Sequence, residues 1–125
     1  MLRYRQDDER RRIDVLASGR LTLDEATRFV DRQHADGGWS YGVVYDLCDL
    51  HENLSPADAA TLALYIVQVS RSHPPRGPVA VVTGTAKMHE IAETYADLGR
   101  QAAGLRVAVF DRVPDAEHWL TAQGY

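Results

Sequence analysis

The stretch "GVVYDLCDLHENLSPADAATLALYIVQV", residues 42–69, decides the fold. Its opening, residues 42–47, is an almost continuous apolar run, the pattern of a strand covered on both faces. Its second half is a well-marked helix. Ser55 offers a side-chain oxygen to cap the first turn, and Pro56 suits the first helical position, whose N–H would be unpaired anyway. Asp58 adds favourable charge near the positive helix end. Ala59, Leu62, Ala63, Ile66 and Val69 line one face, and Ala60, Leu64 and Val67 widen it. A buried strand running straight into an amphipathic helix is the building unit of a parallel α/β sheet.

Downstream the unit recurs. "SHPPRGP", 72–78, cannot continue a helix. "PVAVVT", 78–83, is another buried-type run. A helix from about residue 85 to 102 follows, with Met88, Ile91, Ala92, Tyr95 and Leu98 as its stripe and Gly104 as its stop. Residues 105–110 form the last apolar run. A final helix spans 114–123, with Ala116, Trp119 and Leu120 facing in, and Val113 is a poor cap for it.

Upstream, residues 2–5 alternate apolar and polar, and "QDDER", 6–10, breaks the pattern. Ile13, Val15 and Ala17 then alternate against Arg12, Asp14 and Ser18, which predicts two short strands joined by a charged turn, the second ending at Gly19. Thr22 and Glu25 have capping-box spacing ahead of a helix whose stripe is Leu23, Ala26 and Val30. Residues 36–38, DGG, stop it. The predicted order is β-β-α-β-α-β-α-β-α. It describes one α/β domain over residues 1–125, with a mostly parallel sheet of about five strands and an antiparallel N-terminal strand. The pattern leaves open whether the helices cover one sheet face or both. Asp46, Thr83 and Asp111 are expected together at the edge where the parallel strands end, the usual place for a site on an open sheet.

The bulk numbers narrow the function. A chain of 125 residues with net charge −4 is one ordinary domain and is not built to coat nucleic acid, which needs clustered Lys and Arg. One cysteine, Cys48, excludes an intrachain disulfide and fits a reducing cytoplasm. No apolar run approaches the roughly 20 residues of a transmembrane helix. "MLRYRQDDERRR" lacks the apolar core of a signal peptide. The expected location is cytoplasmic.

Asp46, Asp49, His51 and Glu52 invite a metal reading, but their spacing fits neither a calcium loop nor a helical HExxH pattern, and Cys48 has no CxxC partner. No metal and no cofactor is expected. Asp46 and Thr83 sit where response-regulator receivers carry a phosphoacceptor and a hydroxyl. The acidic pair for magnesium and the lysine at the last strand end are missing, since Phe110 leads to Asp111-Arg112 and the only lysine, Lys87, lies in the helix after Thr83. Ser55 is outside any G-x-S-x-G elbow, and Cys48 reads as a small buried hydrophobe. "GTAK", 84–87, lacks the second glycine of a phosphate loop and reads as a helix start. His34, His73, His89 and His118 are scattered and receive no role. Arg10, Arg11 and Arg12 are balanced by Asp7, Asp8 and Glu9. Trp39 and Tyr41 flank a glycine-rich connection, either as a contact surface or as aromatics buried under the loop.

Taken together, "GRLTLDEA" (19–26), "VVYDLCDL" (43–50), "LSPADAATLA" (54–63), "PVAVVT" (78–83) and "VAVFDRVPDAEHWL" (107–120) resemble the STAS-like proteins, relatives by fold of the bacterial anti-sigma-factor antagonists. More narrowly, they resemble a group of small bacterial proteins ending in strand, turn and A-x-x-W-L. The resemblance covers nearly the whole chain and implies a STAS-like fold. Antagonists of that family carry a phosphorylatable serine in an Asp-Ser-Ser-Gly motif at the start of the corresponding helix. Ser55 matches it in approximate position, within Leu54-Ser55-Pro56-Ala57, without the flanking Asp and Gly. The resemblance therefore implies Ser55 as the phosphosite.

The expectation is a non-enzymatic binding or regulatory module of STAS-like fold. Its contact surface would comprise Asp46, Asp49, His51, Ser55, Thr83, Thr85, Lys87 and Asp111. The partner would be another protein, a second copy of the chain or a small ligand, with no nucleic acid and no membrane span. The alternative is a small hydrolase or lyase using Asp46, Asp49 or His51, which requires a carboxylate and the imidazole to converge within hydrogen-bond reach.

Overall fold

The strands line up in the order in which they occur in the chain. The computed structural model describes residues 1–73 and 75–125, so Pro74, within the predicted 72–78 break, lies outside the described residues. The elements are β1 (Leu2–Asp7), β2 (Arg12–Arg20), α1 (Leu23–Ala35), β3 (Gly42–Glu52), α2 (Pro56–Ser72), β4 (Val79–Val82), α3 (Ala86–Ala103), β5 (Val107–Phe110) and α4 (Val113–Ala122). They build a five-stranded sheet of order β1-β2-β3-β4-β5, in which β1 is antiparallel to β2 and all later pairs are parallel. Both the predicted order of elements and the antiparallel first strand are present.

Strand order decides what covers each face. Every crossover from β2 to β5 steps in the same direction, and right-handed connections then put α1, α2 and α3 on one side. α4 follows the last strand, is not a crossover, and packs on the other side. Alternation along the strands matches this. Ile13, Val15, Val43 and Val79 form one core with Phe29 of α1. Val44, Ala80 and Val82 form the other with Ala116 and Leu120 of α4. Adjacent residues such as Val43 and Val44 are both buried because both faces are covered.

Local signals behave largely as chemistry dictates. Ser55 Oγ accepts from the Asp58 N–H at 3.1 Å, and Thr85 Oγ1 accepts from the Met88 N–H at 3.2 Å, each satisfying a free donor of a first helical turn. α3 ends at Gly104 in the left-handed conformation, φ 63°. α4 has no side-chain cap. The capping box of α1 is half made. Thr22 accepts from the Glu25 N–H at 3.2 Å, but the Glu25 carboxylate turns to the β1 backbone and accepts from the Leu2 N–H at 3.2 Å. Trp39 is buried, which removes the contact-surface reading for it.

One boundary departs from expectation. β3 runs on to Glu52, so residues 48–52 are strand rather than loop. β4 pairs only with residues Val43 to Asp46, and beyond that point β3 continues against β2 alone, through Ser18–Asp49, Gly19–Leu50 and Arg20–Glu52, with two register shifts. β2 is itself backed there by Met1, whose carbonyl accepts from the Ser18 N–H at 2.9 Å. The result is a ribbon that projects past the end of β4. At the opposite end, the segment entering β4 passes tightly under the segment entering β3. A Cβ on Gly77 would lie 2.2 Å from the Tyr41 carbonyl oxygen, so only glycine fits.

Candidate functional site

The strand-end edge gathers the predicted residues into three separate environments. On the ribbon, Asp49 and His51 are exposed, and no hydrogen bond joins either of them to Asp46 among the described residues. The Asp46 carboxylate instead accepts from the Cys48 N–H at 3.0 Å. Cys48 is exposed, contrary to its reading as a buried hydrophobe. Its thiol is pushed up to about 11 by desolvation of the sulfur, by the hydrogen bond to Asp46, and by the charges of Asp46 and Asp49. It is therefore a neutral thiol and a poor nucleophile near neutrality. Gly84 lies against this part of β3, where a Cβ would meet the Cys48 carbonyl oxygen at 3.2 Å.

Ser55 and Thr85 stand exposed at the starts of α2 and α3, and both hydroxyls serve as caps. Lys87, one residue into α3, is exposed and forms no ion pair among the described residues. The third environment is a true cluster. Thr83 is buried at the end of β4, its N–H donating to Phe110 O at 3.0 Å. Its Oγ1 lies 3.5 Å from His89 Nδ1, and Asp111 Oδ1 lies 3.1 Å from the same nitrogen. Sequence reasoning placed Thr83 and Asp111 together and missed His89, which α3 carries one turn in from Thr85. Because hydroxyl and carboxylate meet one nitrogen, His89 does not relay a proton between them as in a catalytic triad. Among the described residues, no three His, Cys, Asp or Glu side chains are grouped to hold a metal ion.

An apolar concave feature lies elsewhere. Between the sheet and α2 and α3 is a solvent-connected chamber of about 230 Å³. α2 packs against α1 and α3, and of its residues only Val67 is buried. Leu62, Ala63 and Ile66, the centre of the predicted apolar stripe, are half-buried because they form the chamber roof. Val79, Val81, Tyr45 and Val107 form its floor. Leu47 and Leu54 line it toward the strand-end edge, while Arg76, Leu105 and Arg106 line it toward the opposite end.

Arg76 is the unusual member. It is 7% exposed and forms no ion pair among the described residues. Its Nη2 donates to Gln33 Oε1 at 2.8 Å and to the Tyr45 hydroxyl at 3.3 Å, and its guanidinium lies 4.9 Å from the Trp39 ring centroid. Its Nε–H is buried without an acceptor among the described residues. The Tyr45 phenol is raised above its ordinary value by burial, which Arg76 partly offsets. Nothing in the local sequence signals this arrangement, because Gln33, Tyr45 and Arg76 come from three different elements or connections.

Comparison with known proteins speaks to the fold. The chain is similar to the anti-sigma factor antagonist SpoIIAA in its unphosphorylated form, at 10% identity and TM-score 0.61, over 100% of both chains. It is also similar to a protein of the DUF3478 family with a SpoIIAA-like fold from Shewanella loihica PV-4, at 14% identity and TM-score 0.59, over 96% of this chain and 92% of the other. No family model and no curated protein matches the sequence. The expected STAS-like architecture is thus present: a five-stranded mixed sheet with an antiparallel first pair and four helices. No helix among the described residues is long and apolar enough to cross a membrane.

Proposed function

We propose that this chain is a non-enzymatic binding module of STAS-like fold that takes up a small apolar molecule and presents its state to a partner protein. The observation that carries the reading is the chamber under α2. A 17-residue helix with a wide apolar face normally buries that face on its sheet, and here the face roofs an opening instead. Apolar chambers with few polar groups are the usual form of small-molecule sites.

The partner surface we assign is the strand-end edge, from the Asp49 and His51 ribbon through Ser55 and Thr85 to Lys87 and Asp111. Leu47 and Leu54 connect it to the chamber, so a bound molecule would bear on the residues a partner reads. A similar fold in an anti-sigma factor antagonist supports a protein partner. The setting we assign is cytoplasmic, where the lone Cys48 stays reduced. The hydrolase or lyase alternative finds no support, because Asp46, Asp49 and His51 do not converge.

The test uses the neutral fluorophore N-phenyl-1-naphthylamine. The native chain should enhance its emission at one probe per chain. Ala63→Trp, which places a ring in the chamber, should abolish the enhancement while leaving the circular dichroism of the fold intact. Absence of enhancement with the native chain sinks the reading.

A further inference from the structure

The chamber is one-sided in charge. Among its lining residues the only ionisable groups that carry charge near neutrality are Arg76 and Arg106, both at the end away from the strand-end edge, and no Asp or Glu lines it. A buried charge costs free energy unless it is paired, and a guanidinium cannot shed its proton to escape that cost. Among the described residues Arg76 meets only neutral partners, Gln33, the Tyr45 hydroxyl and the Trp39 face, and its buried Nε–H has no acceptor. The Tyr45 hydroxyl accepts from Arg76 and donates to no group among the described residues. A buried cation with only neutral partners among the described residues, a phenol beside it and an apolar hollow therefore adjoin one another.

We propose that the chamber binds an aliphatic monocarboxylate, its carboxylate at Arg76 and Tyr45 and its chain lying under α2 toward Leu47 and Leu54. This rests on the reading of the chamber as a small-molecule site and adds the chemical class of the molecule. Size agrees. A cavity of about 150 Å³ holds benzene, so 230 Å³ holds an apolar chain of about eight to ten carbons. A carboxylate accepts charge-assisted hydrogen bonds from a guanidinium and so supplies the missing partner. Arg106, exposed at the same end, adds attraction for an anion entering there.

Calorimetric titration of the full chain with decanoate below its micelle concentration, and with 1-decanol and methyl decanoate below their solubility limits, separates the outcomes. The proposal expects decanoate to bind one per chain and roughly tenfold or more tighter than the alcohol or the ester. Ala63→Trp should remove binding of all three. Arg76→Gln should bring decanoate down to the level of the alcohol. Should Arg76→Gln fail to fold, Tyr45→Phe, which keeps the ring and deletes the proton, should narrow the ratio several-fold. Equal affinity for acid and alcohol overturns the carboxylate assignment and leaves the apolar-site reading standing. If none of the three binds, both fall. Binding to phosphatidylglycerol vesicles without binding to monomeric decanoate also overturns the proposal, in favour of a surface interaction with lipid.

Discussion

Arg12 Nη2 donates to the Glu117 carboxylate at 2.6 Å, tying the first residue of β2 to the middle of α4. The Arg12 side chain is 3% exposed, and Glu117 stands at the solvent boundary. Of the other acceptors, the Asp14 carboxylate is 3.7 Å away and the Tyr125 carbonyl oxygen 3.5 Å. The pair holds α4 on its face of the sheet.

Removing only the carboxylate strands a buried cation, so Glu117→Ala should cost about 1–2 kcal/mol, the exposure of Glu117 and the nearby Asp14 keeping the loss below that of a fully buried pair. Converting both partners, Arg12→Met with Glu117→Ala, should recover much of the loss, because the buried charge is gone. Urea midpoints measure both. A double variant markedly less stable than Glu117→Ala contradicts this account.

Gly77→Ala should be among the most damaging single substitutions. The added methyl would meet backbone atoms of Ser40 and Tyr41, which cannot swing aside as a flexible side chain would. A loss of about 3 kcal/mol, roughly a 10 °C drop in melting temperature, is expected. A melting point within 2 °C of the parent chain, on the order of 0.5 kcal/mol, shows that the two lead-in segments are less tightly apposed.

Cys48 should resist alkylation. With its pKa pushed up from 9.0 to about 11, the thiolate fraction at pH 8 is about 100-fold below that of the unfolded chain, and iodoacetamide should react correspondingly more slowly. Asp46→Asn should speed the native reaction. For stability the sign follows from the raised value. The neutral thiol is the form favoured in the fold, so its contribution is intact below about pH 9 and is lost as the pH climbs through about 11. Equal native and denatured rates at pH 8 refute the assignment.

Ser55→Ala should cost about 1 kcal/mol through loss of the α2 cap, whereas Ser55→Asp should be nearly neutral because aspartate caps equally well. Thermal melts of the two variants distinguish capping from any other role. If Ser55→Ala is as stable as the parent chain, the hydroxyl is dispensable to α2. An effect of Ser55→Asp on partner binding, with stability unchanged, would then report the added charge alone.

The elements were legible because their signals are local. Ser55-Pro56 marks the start of α2 through the free donors of its own first turn, and Gly104 marks the end of α3 through its own backbone angle. The apolar runs at 42–47 and 78–83 marked buried strands, but which helices cover which face of the sheet is open in the sequence and follows only from the strand order. The extension of β3 to Glu52 was not legible. Its polar residues read as a loop, and only pairing with β2 makes them strand. At the edge, Asp111 and Thr83 follow from strand ends, but His89 joins them through the rotation of α3.

Residues 42–69, taken alone, determined that a buried strand feeds an amphipathic helix, because side-chain periodicity and end caps act over a single turn or a few residues. Tertiary structure decided the rest. Sequential strand order under right-handed crossovers sends three helices to one face, and α2 packs on α1 and α3 with its apolar face left half-buried. The hollow beneath it, and the cation at Arg76 that meets Gln33, Trp39 and Tyr45 from distant parts of the chain, exist only once those segments are in place. No local pattern encodes a space between elements, since that space is set by how far apart their packed surfaces come to rest.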